Sequence, residues 1–225
     1  SCFALLKYPH PDPGAFPMRR VCLLLALVAS PVTVEAGRSN SLMDISADGR
    51  LLACSNRDSG TVTIIDLATL KKVHEVKVGE KPEGVSFLGQ SHRLAVAVYV
   101  SDRVVLIDAD SGRADGQIDV FDEPYGVVSN RDGSRLYVTL EYPGQVVEID
   151  PVKRTVLRQI PAGSFPRGLA IAPDGKRLYV AGYYTAMVMA IDIATGRQVD
   201  TWKGASSDNL ARQIVVHPRR PKAYL

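Results

Sequence analysis

Val104-Val105-Leu106-Ile107-Asp108 closes on an Ile-Asp pair that the chain repeats, at strictly equal intervals, as Ile65-Asp66, Ile149-Asp150 and Ile191-Asp192. Other landmarks keep the same beat: Pro82-Glu83-Gly84, Pro124-Tyr125-Gly126 and Pro166-Arg167-Gly168, and the Asp-Gly pairs at 48–49, 132–133 and 174–175. A repeat held in register this well is one supersecondary unit copied in tandem. A period near 40 that contains four short strands marks a β-propeller blade. The expected fold is therefore all-β, a propeller of four-stranded antiparallel blades.

The third copy shows the unit. Gly126-Val127-Val128 is a short apolar stretch, turned by Asn130-Arg131-Asp132-Gly133. Arg135–Thr139 follows, rich in β-branched and aromatic residues, and Glu141-Tyr142-Pro143-Gly144 turns the chain again. Gln145–Ile149 and Thr155–Ile160 complete the sheet, the last alternating apolar and polar residues as a half-exposed strand does. Inner strands are more continuously apolar because neighbouring blades cover both of their faces. The same reading places blades at about 40–81, 82–123, 124–165 and 166–208, with a partial fifth at 209–225. The fifth copy runs three residues late, an insertion held by the loop at 204–209. Because a blade cannot bury its faces alone, the reading expects the N-terminal part of a longer ring.

Ahead of the repeats, Met18-Arg19-Arg20, the apolar run Val21–Ala29 and the Val34-Glu35-Ala36 site have the layout of a secretory signal. The run is too short for a permanent membrane span. The expectation is an upstream leader at 1–17, a signal peptide at 18–36 and an exported part at 37–225, periplasmic or at the cell surface. Removing 1–36 takes the formal net charge from +3 to about +2, no footprint for nucleic acid or anionic membrane. Only Cys54 remains of the three cysteines, so neither an intramolecular disulfide nor a Cys-x-x-Cys site is available. Cys54 reads as a small core residue.

Val104–Asp108, Ser111-Gly112-Arg113, Asp122–Val127 and Arg131–Thr139 together resemble the YVTN-type propeller repeat, with its "v-x-v-I-D-x-x-T-G-k", "v-G-x-x-P-x-G-v-a" and "p-D-G-x-x-l-Y-V-t-n" segments. The tetrad itself is altered to Tyr137-Val138-Thr139-Leu140, Tyr179-Val180-Ala181-Gly182 and Leu94-Ala95-Val96-Ala97. The resemblance covers essentially all of 40–225. It implies a seven-bladed ring in an exported prokaryotic protein, among relatives that include adhesive proteins, lactonase-like enzymes and propellers joined to c-type cytochromes or to copper or quinone enzymes. None of their catalytic motifs matches residues here.

A repeated residue does the same structural job in every blade, whereas a functional group is needed once. Asp66, Asp108, Asp150 and Asp192 end the third strand in all four copies and read as acceptors for turn N–H groups. The Asp-Gly pairs read as hairpin turns in which Gly supplies positive φ, with Gln90-Ser91 in their place in the second blade. The non-repeating positions lie between the repeated Pro and Gly, where Glu83, Tyr125 and Arg167 stand, with Arg212 in the fifth copy. Neighbouring turns add Arg57, Asp102, Tyr142 and Tyr183. Segments entering the innermost strand and turns between the second and third strands open on one face around the channel, so these residues are the candidates for a ligand or partner. Arg167 and Arg212 are expected to face Glu83 and Tyr125 across it. His74, His92 and His217 fall at non-equivalent places in three blades and do not converge as metal ligands. No catalytic residue and no metal site is named. Trp202 reads as a packing residue of the fourth outer strand.

Three functions fit. The first is an exported binding scaffold for a protein, glycan or small molecule. The second is the propeller part of a redox protein whose haem or copper lies in another domain or partner chain. The third is a lactonase-like hydrolase using rim Arg and Glu residues.

Overall fold

A computed structural model describes residues 40–204, 210–217 and 222–225. The expected leader, the expected signal and the inserted loop at 205–209 lie outside the described residues. The first sheet contains β1 (Asn40–Ile45), β2 (Leu51–Asn56), β3 (Thr61–Asp66) and β4 (Lys71–Lys77). The second contains β5 (Pro82–Phe87), β6 (Arg93–Val98), β7 (Arg103–Asp108) and β8 (Arg113–Asp119). The third contains β9 (Pro124–Ser129), β10 (Leu136–Leu140), β11 (Gln145–Asp150) and β12 (Thr155–Pro161). The fourth contains β13 (Pro166–Ile171), β14 (Arg177–Gly182), β15 (Met187–Asp192) and β16 (Arg197–Lys203). Each is an antiparallel meander in chain order, and a short pair, β17 (Val215–Val216) with β18 (Ala223–Tyr224), follows.

Strand alternation builds the stack, because successive side chains point to opposite faces of a sheet. In β6, Leu94, Val96 and Val98 pack back onto Val62 and Ile64 of the first sheet. Ala95 and Ala97 face forward onto Leu136, Val138 and Leu140 of the third. Tyr137 and Val146 then meet Leu178, Val180 and Ile191 of the fourth. Ala181 and Val188 meet Ile214 beyond it. Fully burying one such aliphatic side chain is worth about 1.5–3 kcal/mol, so the seams between sheets are the core. Outer strands bury little: β4, β8 and β12 cover Val76, Ile118 and Ile160, and β16 covers no residue fully. Trp202, on β16, is half-exposed and leans on Tyr179 with ring centroids 5.9 Å apart.

The turns are tied by the copied residues. Asp66 accepts hydrogen bonds from Thr69 N–H and Oγ1, and Asp108 and Asp192 do the same with Ser111 and Thr195. Asp150 accepts from the N–H groups of Val152 and Lys153. These bonds hold all four carboxyls below the ordinary carboxylate range. Gly49, Gly133 and Gly175 have φ of +73°, +74° and +71°. In the second sheet the left-handed position moves to Gly89, one residue ahead of Gln90-Ser91.

Candidate binding rim

The Pro-x-Gly motif has a steric cause. A Cβ on Gly84 would stand 2.5 Å from the carbonyl oxygen of Tyr125, and one on Gly126 2.2 Å from that of Arg167. Neither glycine needs positive φ; each is small because the next sheet's first strand passes against it. At the same place the ladder between first and second strands shifts register, from Pro82 to Val85 and from Pro166 to Gly168. The residue between Pro and Gly is thereby displaced from the regular ladder at the strand's entry. Lys81, Glu123 and Phe165, just before each proline, take left-handed φ of 52°, 58° and 49°. Their carbonyls accept the N–H of Tyr99, Glu141 and Tyr183 at 3.1, 3.0 and 2.9 Å. A non-glycine residue held left-handed costs about 1–2 kcal/mol, and it recurs in three blades where the rim is assembled.

Two sets of positions now face each other. Arg57, Tyr99, Glu141 and Tyr183 stand one full repeat apart at the ends of the second strands. Each meets the entry residue of the next sheet. Arg57 Nε lies 2.5 Å from Glu83 Oε1, and Arg167 Nε 2.7 Å from Glu141 Oε1. Tyr99 and Tyr125 meet edge to face at 6.3 Å between centroids, and the Arg212 guanidinium carbon is 5.7 Å from the Tyr183 ring centre. The geometry is copied while the chemistry changes: ion pair, aromatic pair, ion pair, aromatic–cation pair. The residues two positions earlier alternate with it, as Ser55, Ala97, Thr139 and Ala181. Where the pair is ionic, a hydroxyl ties the seam: Ser55 Oγ donates to the carbonyl of Glu83 at 2.5 Å, and Thr139 Oγ1 to that of Arg167 at 3.1 Å. Thr139 Oγ1 also accepts Gly126 N–H at 2.7 Å.

The spokes are cross-linked. Tyr99 Oη donates to Glu141 Oε2 at 2.9 Å. Burial, helped by the carboxylates of Glu123 and Glu141, raises the Tyr99 phenol well above its ordinary range. The Arg167 guanidinium lies 3.6 Å from the Tyr183 ring centre and 4.6 Å from that of Tyr125, within cation–π range of both. Burial pulls its pKa down, but the Glu141 carboxylate and the two phenols outweigh burial and leave it above its usual value. Arg212 is also raised, first by its hydrogen bond with Tyr183. Glu83 and Glu141 are almost wholly buried (3% and 4% exposed), whereas Arg212 is exposed.

Comparison with solved structures adds the arrangement of the sheets. Hydrazine synthase of Kuenenia stuttgartiensis matches with a TM-score of 0.69 at 28% identity, over 78% of this chain and 51% of that one. A Myceliophteria thermophila β-propeller domain matches at 0.66 and 17% identity, over 80% and 59%. The fold is a β-propeller. A dihydro-heme d1 dehydrogenase, NirN, in complex with DHE matches it at 0.63 and 20% identity, over 74% of this chain and 38% of that one. The propeller chain thus spans from about a third to under two thirds of these structures' lengths. No protein-family model matches the sequence, and no curated protein does.

On this propeller the structure joins Glu83 to Arg57, and Arg167 with Arg212, Tyr125 and Tyr183 into one group. The charge that meets Arg167 is Glu141, at the spoke opposite it. Of the two residues that Arg167 and Arg212 are expected to face, Glu83 and Tyr125, Tyr125 lies under the Arg167 guanidinium. Asp102 Oδ1 accepts Glu123 N–H at 3.1 Å. Tyr142 points outward between two rim openings, one of about 370 Å³ with Tyr99, Asp102 and Glu123, the other of about 550 Å³ with Pro143 and Phe165. Tyr99 was missed: Asp102 drew attention to the later part of the second blade's turn, although stepping one repeat on from Arg57 lands on Tyr99. On the opposite face His92 bridges Asp110 (2.7 Å) and Asp48 (3.0 Å), and His74 reaches the Asp110 carbonyl. Among the described residues no three His, Cys, Asp or Glu side chains gather to hold a metal, and no helix is long and apolar enough to cross a membrane.

Proposed function

We propose that the chain is an exported propeller scaffold of the YVTN-repeat type that binds a ligand or partner on the rim around its channel. The observation that carries this reading is the double set of rim positions, whose entry backbone recurs in three seams while the side chains do not. Repeated residues hold the sheets together; Arg57, Tyr99, Glu141, Tyr183 and their facing partners individualise one mouth of the ring. Rigid seams supply positioned polar and aromatic groups without the ordering cost that a loop-borne site incurs. Export is supported by the layout of residues 18–36.

The test uses a photo-crosslinking residue placed at Tyr142 on the rim and at Arg131 on the opposite face of the full-length protein in its own cells. A discrete adduct from position 142 and none from 131 is expected. Adducts from 131 alone, or none from either, would overturn the reading.

A second reading is favoured by the hydrazine synthase and the dihydro-heme d1 dehydrogenase among the similar structures. On it, the propeller is the scaffold of a redox protein, and haem or copper sits in another domain or chain. The described residues offer no ligand set of their own, so this reading expects the cofactor absorbance to separate from residues 37–225 on limited proteolysis. A haem or copper chromophore retained by that fragment would contradict it.

A further inference from the structure

We infer that the fourth and fifth blades form, at the channel mouth, a seat for a planar aromatic ligand that carries a carboxylate or a phosphate. The inference rests on the rim being the binding face and names the ligand class for it.

Charge comes first. Arg167 and Arg212 both lie against Tyr183, with guanidinium carbons 3.6 and 5.7 Å from its centre. Glu141 neutralises Arg167 at 2.7 Å. Among the described residues no carboxylate pairs with Arg212, which is exposed and leans on a phenol instead. Two guanidinium groups on one ring repel each other, and a single buried carboxylate offsets only one of them. An anion at Arg212 supplies the missing charge, with the fork of N–H donors that a carboxylate or phosphate accepts.

The apolar half adjoins it. Tyr183 meets Tyr184 at 4.6 Å between centroids, and Tyr184 meets Phe165 at 5.1 Å, both edge to face. Tyr183 is buried, but Tyr184 and Phe165 are 55% and 40% exposed. An aromatic step left open to water beside a cation that no described carboxylate pairs is a surface that a flat ring covers. From the two distances measured at Tyr183, the Tyr184 ring centre and the Arg212 guanidinium are no more than about 10 Å apart. A ring with an acid group a few bonds away spans that gap.

The probe is cinnamate, titrated into the full-length protein by calorimetry, with acetate and cinnamyl alcohol as controls for the acid and the ring alone. Arg212→Gln removes a charge-assisted contact and is expected to weaken binding at least tenfold; Tyr184→Ser is expected to weaken it about three- to tenfold. Both side chains are exposed, so unchanged melting temperatures will show that the variants fold. Arg131→Gln, on the other face, is expected to bind as the wild type does. Undiminished binding by Arg212→Gln, acetate binding as tightly as cinnamate, or no saturable binding at millimolar cinnamate would each overturn the seat. If cinnamate fails while position 142 still cross-links, the ligand class falls and the rim stands; if both fail, the rim falls too.

Discussion

Gly126→Ala probes the stack where it is tightest. The added methyl would sit 2.2 Å from the Arg167 carbonyl oxygen, with Thr139 Oγ1 at 3.1 Å and Leu169 Cβ at 3.3 Å. A carbon–oxygen contact needs about 3.2 Å, so the third and fourth blades must part by roughly 1 Å at their inner edge. A gap of that size forfeits a quarter to a half of the dispersion well for the atoms lining it, here the seam of Val146, Leu178, Val180 and Ile191. Overpacking of this kind costs about 1–3 kcal/mol. The Thr139 hydroxyl also loses its bridge between Gly126 N–H and the Arg167 carbonyl, about 1 kcal/mol more per bond. The total is about 3–5 kcal/mol, or roughly 6–20 °C in Tm for a domain of this size. Gly84→Ala, at 2.5 Å from the Tyr125 carbonyl, is expected just below it, and Gly168→Ala, whose closest backbone atom is at 3.0 Å, lower still. Gly49→Ala meets nothing within 4 Å and incurs only its left-handed backbone, about 1–2 kcal/mol. Scanning calorimetry of the four variants is the assay. A Gly126→Ala protein melting within 2 °C of wild type, or above Gly168→Ala, would refute the reasoning that these glycines exist for the neighbouring blade.

Two further outcomes are expected. His92, whose pKa the hydrogen bond with Asp110 raises first and Asp48 raises further, together outweighing the lowering by burial, adds stability that is full below its ordinary value near 6.5 and is lost as pH climbs through the raised value. Wild type should therefore melt above His92→Gln at pH 5.5 and level with it at pH 9, and a gap that widens with pH would contradict this. Arg158 pairs with the buried Glu148 and reaches the Ile193 and Ala194 carbonyls of the next blade. Arg158→Ala is expected to cost about 2–4 kcal/mol in urea unfolding, since it leaves the buried carboxylate only the longer contact of Arg135 Nε, 3.4 Å from Glu148 Oε1, and a loss below 0.5 kcal/mol would show that Arg135 suffices.

The copied parts of this chain were legible because repetition amplifies them. Four Ile-Asp pairs set the blade length, and continuously apolar runs such as Leu94–Val98 showed which strands are covered on both faces. The Pro-x-Gly motif was visible, but its cause was not: the carbonyl that excludes a Cβ from Gly126 belongs to Arg167, in the next blade. The same applies to the rim. Charged residues suggested which turns to watch, yet partner choice depends on which blade's second strand faces which entry residue. The step from Arg57 to Glu83, repeated from Glu141 to Arg167, is set by the stacking. Thr139 stood only as a member of the altered tetrad; its hydroxyl, like that of Ser55, crosses the seam. Glu148, a carboxylate within an apolar strand, is buried because Arg158, on the outer strand, folds over it.

The residue ending each second strand meets the entry residue of the following sheet as a spoke across the blade seam. A double-mutant cycle on Glu141→Gln and Arg167→Gln, read by urea unfolding, measures this directly. Each single change is expected to cost about 3–5 kcal/mol by leaving a buried partner unmatched, and the double variant to cost at least about 1 kcal/mol less than the sum of the two. Strict additivity would mean that the two side chains do not meet, and the spoke arrangement would be wrong.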